Sequence, residues 1–186
     1  KVEAHRGAQR HQQAGEPIVI VAPSQVIGPG DPSSFGHMAR AYARGRLPRV
    51  GWAPDSAFTF GHVEDVAEAM VRAGESARAG ETYLLGGHVM TVRSMMSIWA
   101  EAGGRKPPAV WLPRSIAVAQ AAPAALLMRL AGGPAVLSPA AVRSSFVSLR
   151  FSSEKACREL GVAFRPADQA WRETLQAELG RPGAGG

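Results

Sequence analysis

The sequence predicts an α/β fold with a mostly parallel sheet. Three observations carry this. Ile18 to Val21 form an apolar, β-branched run without polar alternation, the pattern of a strand buried on both faces. The first half of the chain orders its segments as helix, strand, loop, helix, strand, helix, strand, which favours parallel pairing. The chain has 186 residues, 46% of them hydrophobic and 19% charged, enough to bury a core and too apolar for a disordered polymer.

Residues 1–14 are helix-compatible, with Gly15 as the stop. The apolar strand follows, then SQVIGPGDPSS, a stretch dense in turn formers. Residues 35–45 return to helix and end near Gly45. Phe58, Thr59 and Phe60 form a short strand. Asp65 then opens a helix whose predicted apolar face is Val66, Ala67, Met70 and Val71. Residues 81–87, ETYLLGG, give another strand and a glycine turn. From Met90 the composition changes. TVRSMMSIWAEAGG is an amphipathic helix with Thr91 as N-cap and Gly103 at its end. PAVWLP is a short extended piece. Helices are predicted over 115–131, 153–160 and 167–179. Ser152 or Ser153 caps the second of these, and Glu154 stands four residues before Arg158, a favourable ion-pair order. GRPGAGG is a frayed tail.

Charge and cysteine narrow the function classes. Lys and Arg number 21 against 15 Asp and Glu, a net charge of +6. The densest basic cluster is Arg40, Arg44, Arg46 and Arg49. It reads as a solvated helix end, with a nearby phosphate-bearing ligand as the alternative. No aromatic ladder is interleaved and the basic residues form no stripe, so a nucleic-acid partner is not expected. The single cysteine, Cys157, allows no disulfide within the chain and fits a reducing, cytoplasmic setting. The five histidines make no metal-ligand spacing, and no metal site is expected. Residues 115–128 are uncharged, but 14 residues are too few to span a bilayer. They read as a buried or interface helix kinked near Pro123, with peripheral membrane contact as the minority reading and no stable insertion.

Three motifs, in order, resemble an extended short-chain dehydrogenase/reductase. The nearest likeness is to the NAD(P)-dependent epimerase/dehydratase superfamily, in particular its dihydroflavonol-reductase-like members. The motifs are GEPIVIVAPSQVIGPGD at 15–31, FGHVEDVAEAM at 60–70, and GETYLLGG at 80–87 followed by FSSEKACRELG at 151–161. The resemblance implies the C-terminal part of a Rossmann-type doubly wound sheet plus a small, mostly helical substrate-binding region. It divides the chain into 1–87, with a substrate-side insertion over about 30–57, then 88–180, then the tail 181–186. The strand count, the start at Lys1 and the lack of a GxGxxG fingerprint lead to the expectation of the C-terminal half of a longer protein, inactive alone. GPGDPS at 28–33 lacks the third glycine and follows the wrong strand.

In the family a Tyr-x-x-x-Lys helix supplies acid–base chemistry. Lys1-Val-Glu-Ala matches the lysine of that motif and the residues after it, so the tyrosine would stand four positions earlier. The resemblance therefore assigns Lys1 a catalytic and cofactor-binding role. Pro23, Ser24 and Val26 match positions that line the nicotinamide end of NAD or NADP. On residue physics alone Pro23 and Gly28-Pro29-Gly30 read first as a tight chain reversal, and it is the resemblance that favours the cofactor role. Phe35, Met38 and Trp111 are candidates for a small-molecule substrate. Asp65 reads as a helix cap and His62 as a structural hydrogen-bonding residue, with a catalytic pair as the minority alternative. The expected activity is hydride transfer at a carbonyl or secondary alcohol. Reductase, epimerase and dehydratase stay open, as does a homodimer. The competing reading is a non-catalytic, nucleotide-sensing protein on the same fold.

Overall fold

The computed structural model describes residues 2–130 and 138–180. Its elements in chain order are α1 (Val2–Gln13), β1 (Ile20–Pro23), β2 (Gln25–Ile27), α2 (Ser34–Ala43), β3 (Val50–Trp52), β4 (Ala57–His62), α3 (Val63–Ser76) and β5 (Thr82–Leu85). Then follow β6 (His88–Thr91), α4 (Val92–Gly103), β7 (Val110–Leu112), α5 (Arg114–Leu130), α6 (Pro139–Ser144), α7 (Glu154–Leu160) and α8 (Ala167–Leu179). The architecture is mixed α/β with parallel pairing, as the sequence pattern predicts.

The strands pair in three small groups. β1 lies parallel to β5, with Pro23 opposite Leu85. β2 lies parallel to β4, and β6 completes that group antiparallel to β4. β3 lies parallel to β7. Two cores hold the layers together. The larger gathers Ile27, Phe58 and Phe60 from the central sheet with Trp99 of α4 and Trp171 of α8. Phe60 and Trp171 meet edge to face with centroids 5.1 Å apart, as do Trp99 and Trp171. Edge-on contacts align the positive rim of one ring with the negative face of the next. The second core lies under α3 and α7, around Val66, Ala69, Tyr83 and Leu160.

Several expectations need correction. The strand predicted at Ile18 begins at Ile20, and only Ile20 of β1 is fully buried, because β1 has β5 on one edge. The turn-rich stretch after it contains β2, whose Gln25 to Ile27 are recruited by β4 across the sheet. Distant pairing overrides local turn propensity there. β6 was hidden for the same reason: its four residues pair antiparallel with β4 before α4 begins.

The apolar face of α3 is also different. Val66, Ala69 and Ala73 are buried, whereas Ala67, Met70 and Val71 face solvent. The buried set recurs at i, i+3 and i+7, and the small alanines let the helix approach the sheet closely. α3 starts at Val63 with His62 as its N-cap, two residues ahead of the predicted start. α5 is largely exposed: among its described side chains Ala117 and Ala121 are fully covered, against Val142 of the unpredicted helix α6. Pro123 lies inside α5. Arg158 pairs with its neighbour Glu159 at 3.3 Å instead of with Glu154. Thr91 caps α4 as expected, accepting from the Ser94 N–H, and Gly104 ends it in the left-handed conformation at φ 66. The tail at 181–186 lies outside the described residues.

Candidate active site

The site begins where the chain changes sheet. Pro23 ends β1 opposite Leu85, and the Ser24 N–H donates to the Leu85 carbonyl at 2.8 Å. The next residue, Gln25, already pairs with Phe60 in the other sheet. A single residue therefore separates two parallel pairings. Crevices at the carboxyl ends of parallel strands, where pairing switches, are where open α/β sheets bind ligands. Ser24 is the residue at that switch. Its Oγ is buried and has no hydrogen-bond partner among the described residues. A buried hydroxyl left unpaired costs stability and is rare without a reason. Pro23, exposed beside it, presents no N–H of its own.

Glycines let the strands close on this hydroxyl. A Cβ on Gly86 would stand 2.5 Å from Ser24 Oγ, and one on Gly87 would stand 2.1 Å from the Phe60 carbonyl oxygen. The carboxy-terminal FSSEK stretch fixes that turn from outside. Ser153 Oγ accepts from the Gly86 N–H at 2.8 Å and donates to the Gly86 carbonyl at 2.6 Å. The Phe151 N–H donates to Thr59 Oγ1 at 2.8 Å. Lys155 Nζ donates to Glu81 at 2.6 Å and stands 4.8 Å from the Tyr83 ring centroid. This hydrogen bond raises the Lys155 pKa and lowers that of Glu81. Burial pushes the Tyr83 phenol up, reinforced by its bond to Glu159. The motifs at 80–87 and 151–161 are thus one structural unit.

His62 and Asp65 divide their work differently from the sequence reading. His62 Nδ1, on a side chain 2% exposed, accepts from the Glu64 N–H and caps α3. Asp65 is not the cap. Its carboxylate holds Arg165, accepting from Nη2 at 2.7 Å, from Nε and from the Arg165 backbone N–H. Arg165 also pairs with Glu64 and Glu173. The Asp65 bond, ahead of those to Glu64 and Glu173, drives the Arg165 pKa further up. The Gln169 amide, then Arg165, hold the Glu173 carboxyl below the ordinary carboxylate range. His62 Nε2 lies 3.6 Å from Glu173 Oε2. This cluster ties α3 to the start of α8.

The Gly28–Asp31 loop is clamped on its other side. Asp31 accepts from the Ser33 N–H and hydroxyl, both at 2.7 Å. Arg40 Nη1 donates to the Asp31 carbonyl at 2.8 Å and pairs with Glu178, which also accepts from the Gly30 N–H. Arg40 therefore belongs to the loop clamp, whereas Arg44, Arg46 and Arg49 are exposed as a solvated helix end.

The structure places the sequence candidates as follows. Pro23 and Ser24 stand together at the strand switch. Val26, partly buried, packs against the second core. Phe35 stacks edge-on against Phe58 and Phe60, with Met38 against the same core. Trp111 lies on β7, under the Arg93 guanidinium at 5.2 Å and over Gly51. Lys1 lies outside the described residues. Sequence reasoning missed Thr59, Ser153, Arg165 and Glu173. Their partners lie 67 to 101 residues away or, for Glu173, act through Arg165. Only the recurrence of FSSEK after GETYLLGG hinted at one of these links.

Residues 1–86 match the model of the NAD dependent epimerase/dehydratase family. No curated protein matches the sequence. Among solved structures the chain is similar to gox2253, at 31% identity and a TM-score of 0.71 over 94% of this chain and 53% of that one. It is also similar to RMD from Pseudomonas aeruginosa complexed with NADPH, at 19% identity and a TM-score of 0.67, over 97% and 55% of the two chains. A nucleoside-diphosphate-sugar epimerase from Pseudomonas aeruginosa gives 24% identity and a TM-score of 0.67, over 95% and 53%. The chain thus spans about half the length of these proteins.

Proposed function

We propose that this chain belongs to the NAD dependent epimerase/dehydratase family and supplies the nicotinamide-side crevice of an oxidoreductase or epimerase. The reaction is hydride transfer at a carbonyl or secondary alcohol. One observation carries the reading: the unpartnered Ser24 Oγ at the strand switch, inside the stretch that the family model matches. The family match to residues 1–86 supports NAD or NADP as cofactor.

The residues fit that group. A buried hydroxyl can donate and accept, which suits a carboxamide. Ser24 Oγ would take the nicotinamide amide, and exposed Pro23 would present a flat face without a competing N–H. When bound, the nicotinamide supplies the redox chemistry. The chain's own work is placement. Ser153 holds Gly86 against Ser24 and so fixes the strand ends around its hydroxyl. Lys1, as the cation of a Tyr-x-x-x-Lys pair, would favour the tyrosinate form and hydrogen-bond the ribose. Phe35, Met38 and Trp111, which pack against the larger core, are the residues we propose for contact with a small-molecule substrate.

The test is turnover of NADH and NADPH in the protein that carries this stretch, comparing parent with Ser24→Ala and Lys1→Ala. Ser24→Ala should leave stability unchanged or raise it by up to about 2 kcal/mol, since it removes an unpaired buried hydroxyl and loses no bond. It should raise the KM for the dinucleotide by roughly tenfold, the value of one hydrogen bond. Lys1→Ala should lower kcat by about 100-fold or more. An unchanged KM in Ser24→Ala, or unchanged kcat in Lys1→Ala, refutes the assignment.

A further inference from the structure

α2 ends beside a second concavity. A cavity of about 190 Å³ lies between α2, α4 and the segments that lead into β3 and β7. Tyr42 and Met96, both buried, line it together with Gly45, and Arg49, Arg105 and Lys106 line it as exposed cations. No carboxylate among the described residues lines it. The cationic segments are fastened to one another. The Ala109 N–H donates to the Arg49 carbonyl at 2.9 Å, immediately before β3 and β7 pair. The Tyr42 hydroxyl donates to the Arg105 carbonyl at 3.0 Å. Arg105 Nη2 donates to the Ala43 carbonyl at 3.4 Å, and a Cβ on Gly45 would stand 2.4 Å from Arg105 Nη1. Gly45, at φ 68, thus serves both the left-handed turn and the seat of that guanidinium. Among the described residues none of Arg49, Arg105 and Lys106 pairs with a carboxylate.

We propose that this cavity binds a small phosphate-bearing molecule, with Arg49, Arg105 and Lys106 around the phosphate dianion. Like charges gathered on one concave wall without a counter-charge raise the local potential and draw in an anion. Arginine forks match phosphate oxygens through paired N–H bonds, and a lysine adds a compact, adjustable charge. Volume limits the occupant. Drug-sized sites run to about 300–1,000 Å³, and this cavity is smaller, so a phosphate with a short carbon skeleton suits it. Nucleic acid is the poorer fit, because tracking a backbone needs cations along a groove, whereas these three converge on one cavity. The cavity lies at the opposite end of α2 from the Gly28–Asp31 clamp, about 15 Å along the helix axis, and shares no residue with the strand switch. The site is therefore independent of the cofactor reading above.

The test is isothermal titration calorimetry of the full chain with inorganic phosphate and with glycerol 3-phosphate, at constant ionic strength. Saturable binding with a Kd of about 1 mM or below is expected for at least one of them. Tighter binding of glycerol 3-phosphate identifies an organic monoester, and equal or weaker binding identifies the free ion; either supports the site. Arg105→Gln should weaken binding about tenfold or more, as loss of a charge-assisted hydrogen bond does, and so should Arg49→Gln/Lys106→Gln. Arg44→Gln/Arg46→Gln removes the same charge from exposed positions outside the cavity and should change the Kd less than about twofold. Circular dichroism checks that each variant is folded, and the parent titration needs no variant. Absence of saturable binding of either probe at about 10 mM, equal losses in the two double variants, or duplex DNA bound through Arg105 that phosphate does not displace overturns the proposal.

Discussion

Replacing Ser153 by alanine probes the bond that frames the crevice. The Ser153 side chain is buried and serves both backbone groups of Gly86, accepting at 2.8 Å and donating at 2.6 Å. Gly86 is itself buried, so water does not replace the lost hydroxyl freely. A buried donor or acceptor left without a partner costs about 1–3 kcal/mol. Two such groups share one hydroxyl here, so about 2–4 kcal/mol is expected. For a chain of this size that lowers the midpoint of thermal unfolding by roughly 4–16 °C. Urea unfolding followed by circular dichroism reads the same loss as a lower midpoint with an unchanged slope. Ser152→Ala is the control, because exposed Ser152 accepts only from the Glu154 N–H at 3.3 Å. It should cost less than about 1 kcal/mol. A Ser153→Ala variant as stable as the parent, or indistinguishable from Ser152→Ala, refutes the framing argument.

Other outcomes follow from the same contacts. Trp171→Ala empties the centre of the aromatic cluster and should cost about 3–5 kcal/mol in urea unfolding, with loss of the near-ultraviolet signal. Asp65→Ala removes the main carboxylate of Arg165 and the acceptor of its backbone N–H, leaving Glu64 and Glu173, and should cost about 1–3 kcal/mol, whereas Glu64→Ala, on an exposed partner, should cost below about 1 kcal/mol. Glu173 has its folded pKa below the ordinary carboxylate value, so its contribution is present above that value and fades as pH falls through the depressed one. Glu173→Gln should therefore flatten the acid limb of a stability-against-pH curve, and an unchanged limb would show the pairing to be inert.

The legible parts of the fold were those written in local sequence. The Thr91 cap and the 167–179 span are set by neighbours within a turn, and both appear where the pattern puts them. The resemblance located Ser24 by its place after an apolar strand. What stayed hidden depends on partners far along the chain. Gln25 to Ile27 look like turn because of the Gly-Pro-Gly that follows, and become strand only because β4 offers an edge. Asp65 looks like a cap because Asp favours helix starts, yet Arg165 arrives from 100 residues away to claim it, leaving the cap to His62. The α3 face was misread because Met70 and Val71 are the larger apolar side chains, while the sheet admits only the alanines beside them.

The clamp between Gly30 and Glu178 has a consequence for biosynthesis. Its two ends are 148 residues apart. At about 5–20 residues per second, a ribosome needs roughly 7–30 s to deliver the second after the first. Throughout that interval Phe35 and Phe60 have no Trp171 to cover them, and the loop after β2 has no Glu178 to hold it. The nascent chain therefore has an aromatic face whose α8 cover arrives only when α8 emerges.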